Sequence, residues 1–298
     1  GPRPVALNPF LMPPLRACRG LSVVFGTLRL LMTSCLLGAG FKVGAASPLA
    51  SLNWTNNTLT VELPGLPGGP LQIFYLEAFL KPGANIRPWG ETKLSHTTRL
   101  LESAKEGRLL RFKTQVEPAI EVMHEVESVE DGLWMNFEFR NTADTASDIQ
   151  WFQPACIRVD GFTARDQKGY TARSFIFTTS GLSILDTLQR RTEALYRGGQ
   201  VYVPEGVASE DANPRPICRD RPVNGLIGCY SNDGRWLLAV ASDRTHELFE
   251  GVYVCLHSDP RIGGLKAHEV KRLRQKLYLV PNDVDALLTR YRKDFPDS

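Results

Sequence analysis

The chain lacks the motifs that mark the commonest enzyme classes. Its 298 residues contain no GxGxxG, no GxxxxGK[ST], no HExxH and no GxSxG, which disfavours nucleotide enzymes, zincins and α/β-hydrolases. Histidine is scarce, and His96, His124, His246 and His268 are too scattered along the chain to join His257 in a metal site. No cysteine pair has CxxC or zinc-like spacing, so no metal and no cofactor is expected. Asp and Glu are absent from residues 1–46, which hold Arg3, Arg16, Arg19, Arg29 and Lys42. That leaves 30 of the 35 basic residues against all 32 acidic ones in 47–298. The basic excess is therefore confined to the N-terminal segment, and no nucleic-acid partner is expected. What is present is ordinary globular composition, 43% apolar and 22% charged, which excludes wholesale disorder, collagen-like repeats and coiled coil.

The N-terminal segment reads as an address. Residues 21–41 are apolar or small apart from Arg29 and a few hydroxyls, Arg16 and Arg19 precede them, and Gly44-Ala45-Ala46-Ser47 follows. This is the layout of a secretory signal peptide cut after Ala46, with Ala50 as second choice. The domain division expected is 1–46 as signal region and 47–298 as one β-sandwich domain, exported to the periplasm or beyond. A retained anchor is the alternative, and it would be the only membrane contact; Arg29 would be costly at the bilayer centre. Cys35, after Leu31-Met32-Thr33-Ser34, is a minor candidate lipoprotein cysteine. Cys156, Cys218, Cys229 and Cys255 permit three disulfide pairings or none.

From Ser51 onward the hydrophobic period is two. In 119–127, Ile120, Val122, His124 and Val126 share a face; in 133–140, Leu133, Met135, Phe137 and Phe139 do. Glu130-Asp131-Gly132 between them predicts an antiparallel hairpin. Further strands are expected at 57–63, 71–80, 108–116, 148–159, 173–179, 225–230, 235–242, 247–257 and 269–280. One helix is expected, over 282–295, capped by Asn282 and carrying Val284, Leu287, Leu288 and Tyr291 as its apolar stripe. Many short strands and one closing helix predict an all-β fold, a twisted antiparallel β-sandwich with a short C-terminal helix.

The stretches DIQWFQPACIRVD (148–160), NPRP (213–216), NGLIGC (224–229) and CLHSDPRIGG (255–264) resemble secreted bacterial proteins without an assigned activity, over residues 70–298. The closing strand-then-helix order is similar to the β-supersandwich of the galactose-mutarotase type. That resemblance implies a concave sheet face able to bind sugar, in a fold that includes mutarotases, lyases and glycosidase domains. No mutarotase motif matches residue by residue, so it assigns no catalytic residue.

Candidate site residues are polar groups set in apolar strands. In 148–165, Trp151 is read as a stacking platform for a pyranose, Gln153 as a reader of hydroxyls, and Arg158 with Asp160 as orienting groups; the bland alternative is a core Trp and a structural ion pair. In 244–261, built around the single strand 247–257, His257, Asp259 and Arg261 leave the strand end together, with His257 and Asp259 as an oriented base, or else as a loop with a surface histidine. On that reading His246-Glu247 lies roughly 36 Å from His257, and the two ends serve one site only if the strand folds back. His124 is a second candidate base or a hydrogen-bonded core residue. Arg215, Arg219 and Arg221 form a loop cluster suited to a uronate carboxylate, or a solvated loop. The functional expectation is an exported carbohydrate-active protein working by acid–base chemistry of lyase, hydrolase or epimerase type. The alternatives are a carbohydrate- or envelope-binding module and a structural interaction domain.

Overall fold

The computed structural model describes residues 49–296; the signal-peptide and Cys35 readings lie outside them. Among the described residues the strands form two large antiparallel sheets and a small one. The larger has nine strands in the order Gly181–Ile184, Ser174–Thr178, Leu226–Tyr230, Trp236–Ser242, Val270–Pro281, Gly132–Asn141, Ile120–Val129, Leu109–Val116, His96–Ala104. The second has seven, in the order Ser51–Thr55, Thr58–Glu62, Leu71–Phe74, Cys156–Arg158, Cys255–Pro260, Thr245–Gly251, Gln200–Tyr202. A three-stranded ribbon joins Trp151–Gln153, Ala78–Leu80 and Lys93–Leu94.

The two large sheets share one core, as an antiparallel sandwich must. Leu59, Ile73, Ile157 and Leu256 from the seven-stranded sheet pack in one cluster with Phe112, Val122, Met135 and Leu277 from the nine-stranded sheet. The alternation in 119–140 supplies this face. Val122 lies opposite Phe139, His124 opposite Phe137 and Val126 opposite Met135 across the hairpin. Near the other end, Leu226–Tyr230 and Trp236–Ser242 read as continuous apolar runs because they are covered on both faces. Their second face, with Phe175 and Tyr278, is closed by the helix Val284–Asp294 through Leu287, Tyr291 and the following Phe295.

The structure corrects several boundaries, each for a local reason. Asp283, not Asn282, caps the helix, its Oδ1 accepting from Ala286 N at 2.9 Å, while Asn282 donates its side-chain amide to Gly234 O. The run 148–159 is two strands rather than one. Pro154, which cannot donate to a ladder, falls where the chain leaves the ribbon at Gln153 and enters the seven-stranded sheet at Cys156. The run 71–80 divides likewise, into Leu71–Phe74 and Ala78–Leu80. His96–Ala104 was not expected because, as an exposed edge strand, it carries no apolar alternation. The largest correction is at 244–261, where the chain turns after Gly251. Thr245–Gly251 and Cys255–Pro260 form a hairpin with Glu247 opposite Asp259 and Phe249 opposite His257. No helix among the described residues is long and apolar enough to cross a membrane.

Candidate functional site

The fold-back of 244–261 builds a cavity of about 320 Å³. Strand Cys255–Pro260 is hydrogen-bonded on both sides, to Cys156–Arg158 and to Thr245–Gly251. Its alternation places Cys255, His257 and Asp259 on one face. The ribbon contributes Gln153, and the segment between Phe74 and Ala78 contributes Glu77. The rim carries Trp89, Tyr196, Arg215 and Tyr253.

The floor is a chain of polar contacts. Gln153 Nε2 donates to Asp259 Oδ2 at 3.1 Å, Asp259 Oδ1 stands 3.6 Å from His257 Nδ1, and His257 Nε2 lies 3.9 Å from Glu77 Oε2 and 3.4 Å from Cys255 Sγ. Behind them Asn213 N donates to Glu247 Oε2 at 2.8 Å. Glu77 Oε2, Glu247 Oε1, His257 Nδ1 and Asp259 Oδ1 are buried without a hydrogen-bond partner. Packed interiors rarely leave four polar atoms unmatched so close together.

Electrostatics follow from this burial. Desolvation pushes the Glu77 carboxyl above the usual range, with the His257 charge pulling it back in part. Burial alone would lower His257, but the Asp259 carboxylate and the Cys156 thiol outweigh it and hold the imidazole well above its ordinary value. Glu247 is raised by burial and then by Asp259, and so is held as a neutral acid.

The predicted residues are gathered unevenly. His257, Asp259, Gln153 and Arg215 come to the cavity or its floor. Arg158 does not line it, but its guanidinium lies 4.8 Å from the ring centre of the rim residue Tyr253. Arg158 and Asp160 form no ion pair; they line a separate cleft beside Gly68 and Arg165. Trp151 has no exposed surface and stacks on His246 at 5.0 Å, so it offers no face to a sugar ring; the exposed aromatics at the rim are Tyr253 and Tyr196. Arg261 bridges to Trp151 rather than joining the cavity. Arg215 stacks on Tyr196 and donates to Arg197 O, while Arg219 and Arg221 line another cleft, so the loop arginines do not act as one cluster. His124 lies in the sandwich core, accounted for by the hydroxyls of Tyr75 and Thr114 at 2.7 and 2.9 Å, and burial lowers its pKa to about 3. This is the core-residue alternative.

Sequence reasoning missed Glu77, Cys156, Cys255 and Tyr253. Glu77 had a signal, being the one charged residue in 71–80. The cysteines had none, since almost a hundred residues separate them. All four described cysteines are free, and Cys156, Cys255 and His257 bring their ligand atoms within 4.8 Å of one another.

No protein-family profile matches the chain, and no curated protein sequence does. Solved structures to which it is similar include a galactose mutarotase-like protein from Lactobacillus casei ATCC 334, at 11% identity and TM-score 0.41, covering 77% of this chain and 99% of that one. Another is the Slr1438 protein from Synechocystis sp. PCC 6803, at 11% identity and TM-score 0.43, covering 78% and 96%. A third is a polysaccharide lyase at 10% identity and TM-score 0.38, covering 82% of this chain and 34% of that one.

Proposed function

We propose that the cavity binds a saccharide and moves a proton at one of its carbons, with Glu77 as the base and the His257–Asp259 pair stabilising the charge that develops. The observation that carries this reading is convergence: a half-buried carboxylate and an oriented imidazole stand 3.9 Å apart in one aromatic-rimmed cavity. Their placement favours one kind of chemistry over another. A glycosidase sets two carboxyl groups on either side of the bond, about 5–9.5 Å apart. Here a carboxylate and an imidazole stand side by side, which suits taking a proton from one centre and returning or eliminating it, as epimerases and lyases do. Arg215 and Arg158, each stacked on a rim tyrosine, suit a carboxylate-bearing sugar such as a uronate. On the sequence of 1–46 we place this activity outside the cytoplasm.

The test is solvent deuterium exchange into a panel of neutral and uronate oligosaccharides, followed by NMR, with ultraviolet absorbance reporting any elimination. Exchange or elimination is expected with the unmodified chain, and Glu77→Gln is expected to lose about 10²–10⁴-fold of it while still binding the sugar. Binding with no proton exchange for any sugar turns the site into a recognition module. Exchange that survives Glu77→Gln removes the assigned base.

A further inference from the structure

The two buried thiols beside His257 are not used by the chemistry above, and their arrangement has its own logic. Cys156 and Cys255 stand on adjacent antiparallel strands, with Arg158 opposite Cys255 and the register carrying Cys156 toward His257. A zinc ion with two sulfurs at about 2.3 Å and one nitrogen at about 2.0–2.1 Å requires ligand atoms roughly 3.5–3.8 Å apart. Cys255 Sγ and His257 Nε2 are 3.4 Å apart, and the third atom, Cys156 Sγ, lies within 4.8 Å of both.

We propose that Cys156, Cys255 and His257 Nε2 bind a thiophilic divalent cation, zinc by preference, at the floor of the cavity, with the fourth position open toward Glu77.

Several independent features converge on this. The other imidazole nitrogen, Nδ1, points at Asp259 Oδ1, and Asp259 is itself held by Gln153; a carboxylate behind a ligating histidine is the usual support that fixes ring orientation. The unpartnered Glu77 Oε2 lies 3.9 Å from the ligating nitrogen, within reach of a water or sugar hydroxyl held on the metal. Gly251 makes room for the thiol, since a Cβ at that position would collide with Cys255 Sγ. Three protein ligands and an open fourth position are the layout of a catalytic rather than a structural zinc site. Binding displaces one proton from each thiol and the Nε2 proton of the imidazolium, giving two thiolates and a neutral imidazole, so the divalent ion and its cysteines are neutral together. This inference deepens the proposed function. The ion takes over from the imidazole the task of polarising a substrate oxygen, and Glu77 remains the group that moves the proton.

The experiment uses the full reduced chain, stripped with a chelator and titrated with Co²⁺ in the absence of sugar. The expected result is one Co²⁺ per chain, an intense near-ultraviolet thiolate charge-transfer band, visible bands of tetrahedral strength, and displacement by Zn²⁺. Cys156→Ser and Cys255→Ser are expected to lose the band, Cys218→Ser to keep it, and Asp259→Asn to bind about 10–100-fold more weakly. Circular dichroism of each variant reports its fold, and the measurement on the unmodified chain depends on no variant. Absence of the band from the unmodified chain overturns the proposal, as does a band that survives both serine variants. Metal binding without deuterium exchange removes the sugar chemistry and leaves the metal site standing. Exchange by the stripped, metal-free chain leaves the sugar chemistry standing and removes the ion from it.

Discussion

Two buried histidines, on strands of opposite sheets, show how different two interiors of one protein can be. His124 is stacked 5.0 Å from Phe112 and 5.8 Å from Phe137, with a hydroxyl on each nitrogen. Nothing charged touches it, so burial alone governs it and it stays neutral. His257 is equally buried, yet it faces Asp259, Glu77 and a thiol, and its Nδ1 has no partner within hydrogen-bond distance. Burial therefore does not separate a structural histidine from a reactive one. The distinction lies in whether every polar atom around it is satisfied.

The comparison can be tested by substitution, beginning with the interior. Phe112→Ala, which removes the ring stacked on His124 inside the shared core, is expected to cost about 3–5 kcal/mol in denaturant unfolding. His257→Gln is expected to cost about 3–5 kcal/mol at neutral pH, because it leaves the buried Asp259 carboxylate without the imidazole charge that faces it. His124→Gln is expected to cost less, about 1–3 kcal/mol, because it disturbs the partners of two buried hydroxyls. Equal costs at the two positions would collapse the distinction. The pH dependence of stability sharpens it further. His124 and His246 are both lowered to about 3 by burial, so they are neutral when folded but take up protons near pH 6.5 when unfolded. Their contribution is complete above that pH and is lost as pH falls toward 3, on the order of 1 kcal/mol per pH unit for each ring. Urea titrations between pH 7 and pH 4 should show that slope, and His124→Gln should reduce it. The smallest effect belongs to the rim. Tyr253→Ala, at a residue 66% exposed, is expected to change stability by less than about 0.5 kcal/mol while weakening sugar binding.

The sandwich was legible because its central strands obey a period of two and alternate against a single core. The hairpin Ile120–Val129 with Gly132–Asn141 has the face assignment that its residues impose. The site was only half legible. His257, Asp259 and Gln153 stood out as polar groups in apolar strands, and they do meet. Their surroundings depend on a turn at Val252-Tyr253-Val254, where the sequence has no Asn-Gly or Pro-Gly and only Gly251 as a cue. A run that alternates without interruption reads as one strand, which put His246-Glu247 far from His257 when Glu247 in fact lies opposite Asp259. Trp151 misled for another reason. Aromatic character alone does not tell a stacking face offered to solvent from one already taken by His246.

Strand Cys255–Pro260, paired along one edge with Thr245–Gly251 and at Cys255 and Leu256 with Cys156–Arg158, has a consequence for how the cavity is entered. Amides in such a strand exchange with solvent only when a large part of the structure opens, so the reactive row cannot rearrange itself to admit a guest. Adjustment must come from the surrounding loops; the one bearing Asn213, Pro214 and Arg215 is bonded to Glu247 through Asn213 N, and its carbonyls accept from the Asn85 side chain and from Tyr196 N. The cavity thus pairs a sheet-bound floor with a rim whose backbone is held by side chains and a neighbouring loop. Occupancy should be written in the protection of the loop's amides and leave those of the strand unchanged.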